Sequence, residues 1–357
     1  MQEIIENVLE LLEQKEFPKL GALLKEMNPA DVAELFEELP EDKMPLVFRL
    51  LPKELAADAF AYMAPEEQTV LIEKFSDKEL YDVINELYLD DAVDMIEEMP
   101  ANLVRRVLKN LDEDTRRSIN QILNYPKDSA GSVMTMEYVD LRRGMTVEEA
   151  FEHIRTTGVE KETIYTCYVT DSRRKLKGIV TVKDLLLAPK DSLLRDIMET
   201  NIIYVTTQTD KEEVAALFNK YDFLAVPVVD NELRLVGIVT IDDAIDVIQE
   251  EATEDIEMMA AITPTDRPYM KTGVFETWKK RVPWLLVLMI SSTLTGSIIS
   301  SFEDALAATV VLTGFIPMIM GTGGNAAGQS SVSIIRGLSL GEIEYNSPHF
   351  HSLHHRL

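Results

Sequence analysis

The chain is short of basic charge: 35 lysines and arginines stand against 62 aspartates and glutamates, a net charge of −27 over 357 residues. That balance argues against nucleic acid as a partner, because a phosphate backbone is held by the opposite sign. Cysteine is almost absent. Cys167 alone forms no internal disulfide framework, and a cysteine-based zinc site is not expected. Met1 to Phe17 has neither a basic leading segment nor a continuous apolar core. It is therefore not a secretory signal, and the N-terminal part is expected to begin in the cytosol. The first 131 residues contain no histidine, and no nucleophile–base set is found anywhere, so an enzyme is not expected. What is present is length for two or three domains and a surplus of carboxylates, suited to cations or simply to solubility.

Apolar residues recur every twelve positions at Met27, Leu39, Leu51, Met63, Phe75, Leu87, Met99 and Leu111. Pro29, Pro40, Pro52, Pro65 and Pro100 follow these marks by one or two residues. Proline suits the first turn of a helix, where its missing N–H is no loss. The spacing predicts a helical-repeat domain over residues 1–131, a stack of short amphipathic helices each burying its stripe on a neighbour. Its acids read as solvated helix faces. The exception is Asp90, Asp91 and Asp94, gathered at one predicted helix start, where the helix dipole already favours them.

From about residue 132 to 242 the pattern changes and divides in two, near 132–190 and 196–242. Each half has a short apolar strand (Cys167–Val169; Ala225–Val229) and a polar turn. A strand carrying a glycine follows (Gly178; Gly237), then a Thr-x-x-Asp opening a helix, Thr181 with Asp184 and Thr240 with Asp243. Amphipathic helices are predicted before them at Val147–Arg155 and Lys211–Asn219, and Met134-Thr135 and Met198-Glu199 open the halves. This pair resembles a CBS-domain pair, an α/β regulatory module. The resemblance implies an interdomain cleft for an adenine nucleotide such as ATP, with Thr181, Asp184 and Thr240 at the sugar and Phe223 on the base. Thr and Asp as plain helix caps remain the alternative.

Beyond Thr240, carboxylates at Asp242, Asp246, Glu250 and Glu254 fall four apart and so share one helix face. A connecting helix is expected within 243–266. Lys279-Lys280-Arg281 then precede an apolar stretch from Val282 to Ile299, read as a membrane helix with its basic flank in the cytosol. Trp278 and Trp284 mark the interface. Glu303-Asp304 are expected to form a turn, and a second span returns through Pro317, Gly321, Gly324, Asn325 and Gln329, giving transmembrane segments over 278–340. Pro317 is expected to free a carbonyl, and the glycines to let backbone approach a hydrated ion.

In that order, the acidic helical repeat, the CBS pair, the helix at Glu250–Ile256 and Gly321-Thr322-Gly323-Gly324-Asn325 resemble the MgtE family of magnesium channels. The resemblance implies a multidomain, homodimeric, multi-pass protein of the cell (inner) membrane, in contact with lipid, its N-terminal domains cytoplasmic. Mg²⁺ bound between those domains would shut the pore through a "plug" helix, here about Asp243–Ile262. Expected Mg²⁺ ligands are Asp90, Asp91 and the backbone of Gly131; Asp210, Glu212 and Asp222; and Asp243, Asp246, Glu251, Glu254 and Asp255. Gly321, Gly324, Asn325 and Gln329 are the expected pore lining. Mg²⁺ keeps several waters and needs only one or two direct carboxylates. The family has five membrane helices against two read here. The histidine-bearing tail 341–357 is read as an altered or prematurely ended C-terminus, with a metal-binding tail as the alternative, so the chain as written is not expected to form a complete pore. The rival reading is a membrane-tethered CBS module that binds adenine nucleotide and acts on a partner.

Overall fold

A computed structural model of the chain describes residues 2–264, 272–339 and 343. The tail expected at 341–357 lies, apart from Ile343, outside them. The chain divides into two compact units, Met1–Ile245 and Asp246–Leu357.

The first unit opens with ten helices: α1 Gln2–Glu13, α2 Phe17–Lys25, α3 Pro29–Glu38, α4 Met44–Phe48, α5 Lys53–Ala61, α6 Pro65–Lys74, α7 Asp77–Ile84, α8 Leu89–Glu98, α9 Ala101–Asn110 and α10 Glu113–Ile122. The twelve-residue marks sit where helices end: Leu39, Phe75, Met99 and Leu111 are the C-cap residues of α3, α6, α8 and α9. Pro29 and Pro65 are first helical residues, while Pro52 and Pro100 are N-caps.

The period reaches deeper than those marks. Leu35, Val47, Ala59, Leu71, Val83, Met95, Val107 and Ile119 are all buried, as are Phe36, Phe48, Phe60, Ile72, Ile84 and Ile96. Each helix–turn thus spends one repeat and returns the same side chains to one axis. Contacts follow every second helix, α3 on α5 on α7 on α9 and α4 on α6 on α8 on α10, so the stack has two layers. Phe48 is its hub, 5.0 Å from Phe75 and 6.1 Å from both Phe36 and Phe60 between ring centroids. Gln68 interrupts the apolar column, and its Nε2 is satisfied by donating to the Phe60 carbonyl at 2.9 Å.

The tandem part holds two three-stranded sheets. β1 Asp140–Arg142, β2 Thr166–Thr170 and β3 Leu176–Thr181 form the first; β4 Val205–Thr206, β5 Ala225–Val229 and β6 Leu235–Thr240 form the second. In each, the first pair is parallel, the second antiparallel, with a register shift at Val169/Thr170 and at Val228/Val229. Helices α11 Val147–Thr157 and α14 Lys211–Tyr221 run two residues beyond their expected ends. The others are α12 Val182–Leu187 and the short α13 Leu194–Ile197.

The two halves are laced together crosswise. Thr135 bridges Ile238 of the second sheet, and Glu199 bridges Ile179 of the first. Glycine makes the crossing fit. A Cβ on Gly237 would stand 2.6 Å from the sulfur of Met134, and one on Gly178 would stand 2.5 Å from that of Met198.

Helix α15, Ile241–Met259, begins in the first unit and continues into the second. It covers most of the connecting helix expected at 243–266; residues 265 and 266 lie outside the described ones. The second unit also contains α16 Val274–Ser301, α17 Glu303–Ala308 and α18 Val311–Ser339. Among the described residues α16 is the one helix long and apolar enough to cross a membrane, with mean hydropathy 1.8 over its best window. It starts eight residues ahead of the apolar stretch and takes in the basic triplet. Glu303 and Asp304 open α17 instead of forming a turn, as acids at a helix start are favoured by its dipole. α18 stays helical through Pro317 and all of its glycines, so the glycines do not break the helix there, while Pro317, having no N–H, leaves the carbonyl one turn earlier without its helical donor.

Candidate metal centre

Three carboxylates meet inside the first unit: Asp90, Glu162 and Asp243 each place an oxygen within 4.8 Å of the other two. They come from distant parts of the sequence. Asp90 is the second residue of α8, carried inward because Leu89, Ala92, Val93 and Ile96 of the same helix are buried. Glu162 follows a 3₁₀ turn at Gly158–Glu160, and its backbone N–H donates to the Glu137 carbonyl at 3.1 Å. Asp243 is the third residue of α15 and accepts from the Thr240 hydroxyl at 2.6 Å. Glu137 ties the region together, its carboxylate accepting from the Leu89 N–H at 3.3 Å.

The electrostatics are severe. Two full charges 4.8 Å apart repel by about 3 kcal/mol at an effective dielectric near 20, and the cluster holds three such pairs. The dipoles of α8 and α15 favour the acids in their first turns by only ~0.3–1 kcal/mol each. Repulsion wins, so at neutral pH the cluster must either hold protons or take up a cation. Burial, and then Asp90, push Glu162 up to about 10. Burial raises Asp90 too, and burial followed by Asp90 raises Asp243 well above the ordinary carboxylate range. Asp91, beside them, is pushed up to about 7 by burial, Asp90 and Asp242. One oxygen of Glu162, Oε2, is buried with no hydrogen-bond partner. An orphaned acceptor among oxygen-only donors fits a hard divalent cation, which takes oxygen ligands and fills its remaining positions with water.

Of the expected metal ligands, the structure brings Asp90 and Asp243 together, with Asp91 adjacent. Gly131 is held elsewhere: its N–H donates to the Thr207 carbonyl at 3.1 Å, and a Cβ there would meet the Tyr125 ring at 2.6 Å. Asp210 caps the start of α14 and accepts from the Glu212 N–H at 2.9 Å. Asp222 ends the same helix in the left-handed region at φ 54°. Asp210 and Glu212 therefore stand at one end of an eleven-residue helix and Asp222 at the other. Asp246, Glu251, Glu254 and Asp255 lie along α15 in the second unit, where Asp255 pairs with Arg336 at 3.8 Å.

Glu162 is the member of the cluster that sequence reasoning missed. It stands alone in a polar loop with no spacing rule linking it to Asp90 or Asp243; only the fold joins them.

The nucleotide-cleft residues divide. Thr181 and Asp184 make a reciprocal capping box, the Thr181 hydroxyl donating to Asp184 at 2.5 Å and accepting from its N–H at 3.1 Å. Phe223 is half-buried and stacked on Tyr221 at 5.3 Å. Thr240 is buried and belongs to the carboxylate cluster through Asp243. In the second unit Gly324, Asn325, Gly328, Gln329, Val332 and Ser333 line one open groove along α18. Gly321 lies one turn earlier on that helix.

The family model of the MgtE intracellular N domain matches residues 27–128, and the CBS domain model matches 130–191 and 194–250. Together they take in more than half of the chain. The magnesium transporter MgtE of Thermus thermophilus is 38% identical over 342 residues, covering 95% of this chain and 76% of that protein. The chain belongs to the MgtE family. The MgtE of Bacillus subtilis is 34% identical, covering 96% of this chain and 75% of its own, so the chain spans about three quarters of the length of these relatives. The crystal structure of the cytosolic domain of the Mg²⁺ channel MgtE in complex with ATP superposes with a TM-score of 0.65 at 39% identity. It covers 68% of this chain and 99% of that one. The family's architecture of helical N domain, CBS pair and apolar helix is the one described above.

Proposed function

We propose that the chain is a subunit of a magnesium transporter whose cytosolic part senses Mg²⁺ and closes the path of the ion. The observation that carries this is the carboxylate cluster Asp90–Glu162–Asp243 in a chain 38% identical to a magnesium transporter. Mg²⁺ is both substrate and signal in this reading. At low Mg²⁺ the three carboxylates repel unless protonated. At high Mg²⁺ the ion takes the orphaned oxygen of Glu162 and its neighbours, with water completing the shell. That draws the start of α8, the Glu162 loop and the first turn of α15 together. Because Asp243 lies in the first turn of a 19-residue helix, order imposed at the cluster is passed into a rigid element.

Asp91, Asp246, Glu251, Glu254 and Asp255 are proposed as further Mg²⁺ contacts, as are Asp210, Glu212, Asp222 and the Gly131 carbonyl. For Asp222, which the single chain keeps at the other end of α14 from Asp210 and Glu212, the partner surface of a homodimer is the proposed meeting place with them. Lys279-Lys280-Arg281 near the start of α16 supports a cell-membrane protein with the N-terminal domains in the cytoplasm. Gly324, Asn325 and Gln329, sharing one face of α18, are proposed to line the ion path, with Gly321 on the same helix. ATP, named with the relative's cytosolic domain, is proposed to use Thr181, Asp184 and Phe223 here.

The test is Mg²⁺ titration of the whole chain in detergent, followed by limited proteolysis within α15. Protection that rises over the millimolar range and is lost in Asp90→Asn with Asp243→Asn is expected. ATP-dependent protection with no response to Mg²⁺ would favour the tethered nucleotide module instead.

A further inference from the structure

A second polar cavity lies in the first CBS unit, and nothing described above uses it. It holds about 310 Å³ and is lined by Met136, Tyr138, Val139, Asp140, His153, Thr157, Lys161 and Arg174. None of these residues belongs to the Thr181–Asp184–Phe223 group or to the carboxylate cluster. Its charge runs against the rest of the chain. In a protein of net charge −27, a cavity placed without selection should be acidic. This one carries an ammonium, a guanidinium and an imidazole against a single carboxylate, and that carboxylate, Asp140, is shared with Arg142 at 3.6 Å.

The arginine is positioned and not merely present. Its guanidinium donates to the Tyr138 hydroxyl at 3.0 Å, and that hydroxyl donates in turn to the Leu235 carbonyl at 3.2 Å. Tyr138 is buried and packs edge-on against Tyr168 at 6.0 Å. Arg174 itself has φ 61° at the tip of the β2–β3 hairpin, a conformation unfavourable for a residue with a Cβ.

The internal repeat provides a control. Leu233 holds the same hairpin position in the second CBS unit, with φ 63° and the matching backbone bond to Asp230. His153 is the seventh residue of α11, and the seventh residue of α14 is Leu217. The fold is therefore built equally well with leucine at both places. The arginine and the histidine are thus particular to the first repeat.

We propose that this cavity binds a phosphate group, either free or carried on a small metabolite, with Arg174 and Lys161 as its charged contacts and Tyr138, Thr157 and His153 as hydrogen-bonding partners. Guanidinium and ammonium groups give charge-assisted bonds to phosphate oxygens, and the volume lies at the small end of ligand sites.

The experiment is titration calorimetry on the whole chain in detergent with EDTA present, using inorganic phosphate and AMP as separate probes. Saturable binding of at least one probe is expected, weakened about tenfold or more by Arg174→Leu and by Lys161→Ala, since each removes a charged hydrogen bond. Binding of phosphate by itself identifies the free anion, and binding of AMP in preference identifies a nucleotide. Arg174→Leu copies the second repeat and is expected to keep the melting temperature; Lys161→Ala serves where it does not. No saturable binding by the unmodified chain, or binding equal in both variants, overturns the proposal. So does binding of inorganic phosphate that is lost in Asp184→Asn and kept in Arg174→Leu and Lys161→Ala, which would move the ligand to the other cleft.

Discussion

Mg²⁺ binding at Asp90, Glu162 and Asp243 must displace protons. In the ion-free protein burial, with Asp90 beside it, holds Glu162 at about 10, and Asp90 and Asp243 are raised as well. Near neutral pH at least one proton therefore sits in the cluster and has to leave when a cation enters. One proton released per ion makes apparent affinity rise about tenfold per pH unit below the relevant pKa. The sign for stability is the reverse. A carboxyl whose folded pKa lies above its unfolded value binds more protons when folded. Its contribution is complete below the ordinary Glu value of 4.5 and is lost as pH rises toward about 10. The ion-free protein should thus loosen with rising pH, while Mg²⁺ removes that dependence. The assay is calorimetry of Mg²⁺ binding in two buffers of different ionisation enthalpy, whose difference in heat counts protons. Glu162→Gln should reduce the count by about one while the fold is kept. Equal heats in both buffers, with affinity flat between about pH 6 and 9, would refute the reasoning.

Three further outcomes follow from the same structure. Phe48→Ala removes the ring that touches Phe36, Phe60 and Phe75 and should cost about 3–5 kcal/mol, read as a lower denaturant midpoint of the helical domain. Gly131→Ala forces a methyl to within 2.6 Å of the Tyr125 ring and 2.9 Å of the Thr207 carbonyl; a loss of about 1–3 kcal/mol and a lower Tm should result. Arg49 holds the Glu79 carboxyl down at about 2, helped by the Ser76 N–H. Its contribution is present above the ordinary Glu value and lost as pH falls toward about 2. Arg49→Met should flatten part of the acid denaturation curve, by under about 1 kcal/mol because both partners reach solvent.

Much of the architecture was legible because it is periodic. The prolines and twelve-residue marks located helix ends, and the paired Thr-x-x-Asp segments located both CBS units, since each is a local pattern with a local physical cause. The resemblance to magnesium channels rested on such patterns and held. The site was legible only in part. Asp90 and Asp243 stood out as first-turn acids, whereas Glu162 carries no local signal and joins them through tertiary folding alone. Gly131 was singled out for its backbone as a metal ligand; what the structure shows there is a packing demand from Tyr125 and Thr207. The turn expected at Glu303-Asp304 became a helix start because the same acids serve either role. The helix through Gly321–Gly324 persisted because a glycine-rich stretch weakens a helix without having to break it.

Hydrogen exchange of the whole chain, with and without millimolar Mg²⁺, reads the central claim directly. The first turn of α8, the loop at Glu162 and the first turn of α15 should gain protection together when Mg²⁺ is added, and lose that gain together in Asp243→Asn. Identical exchange at these three segments in the presence and absence of Mg²⁺ would contradict the account.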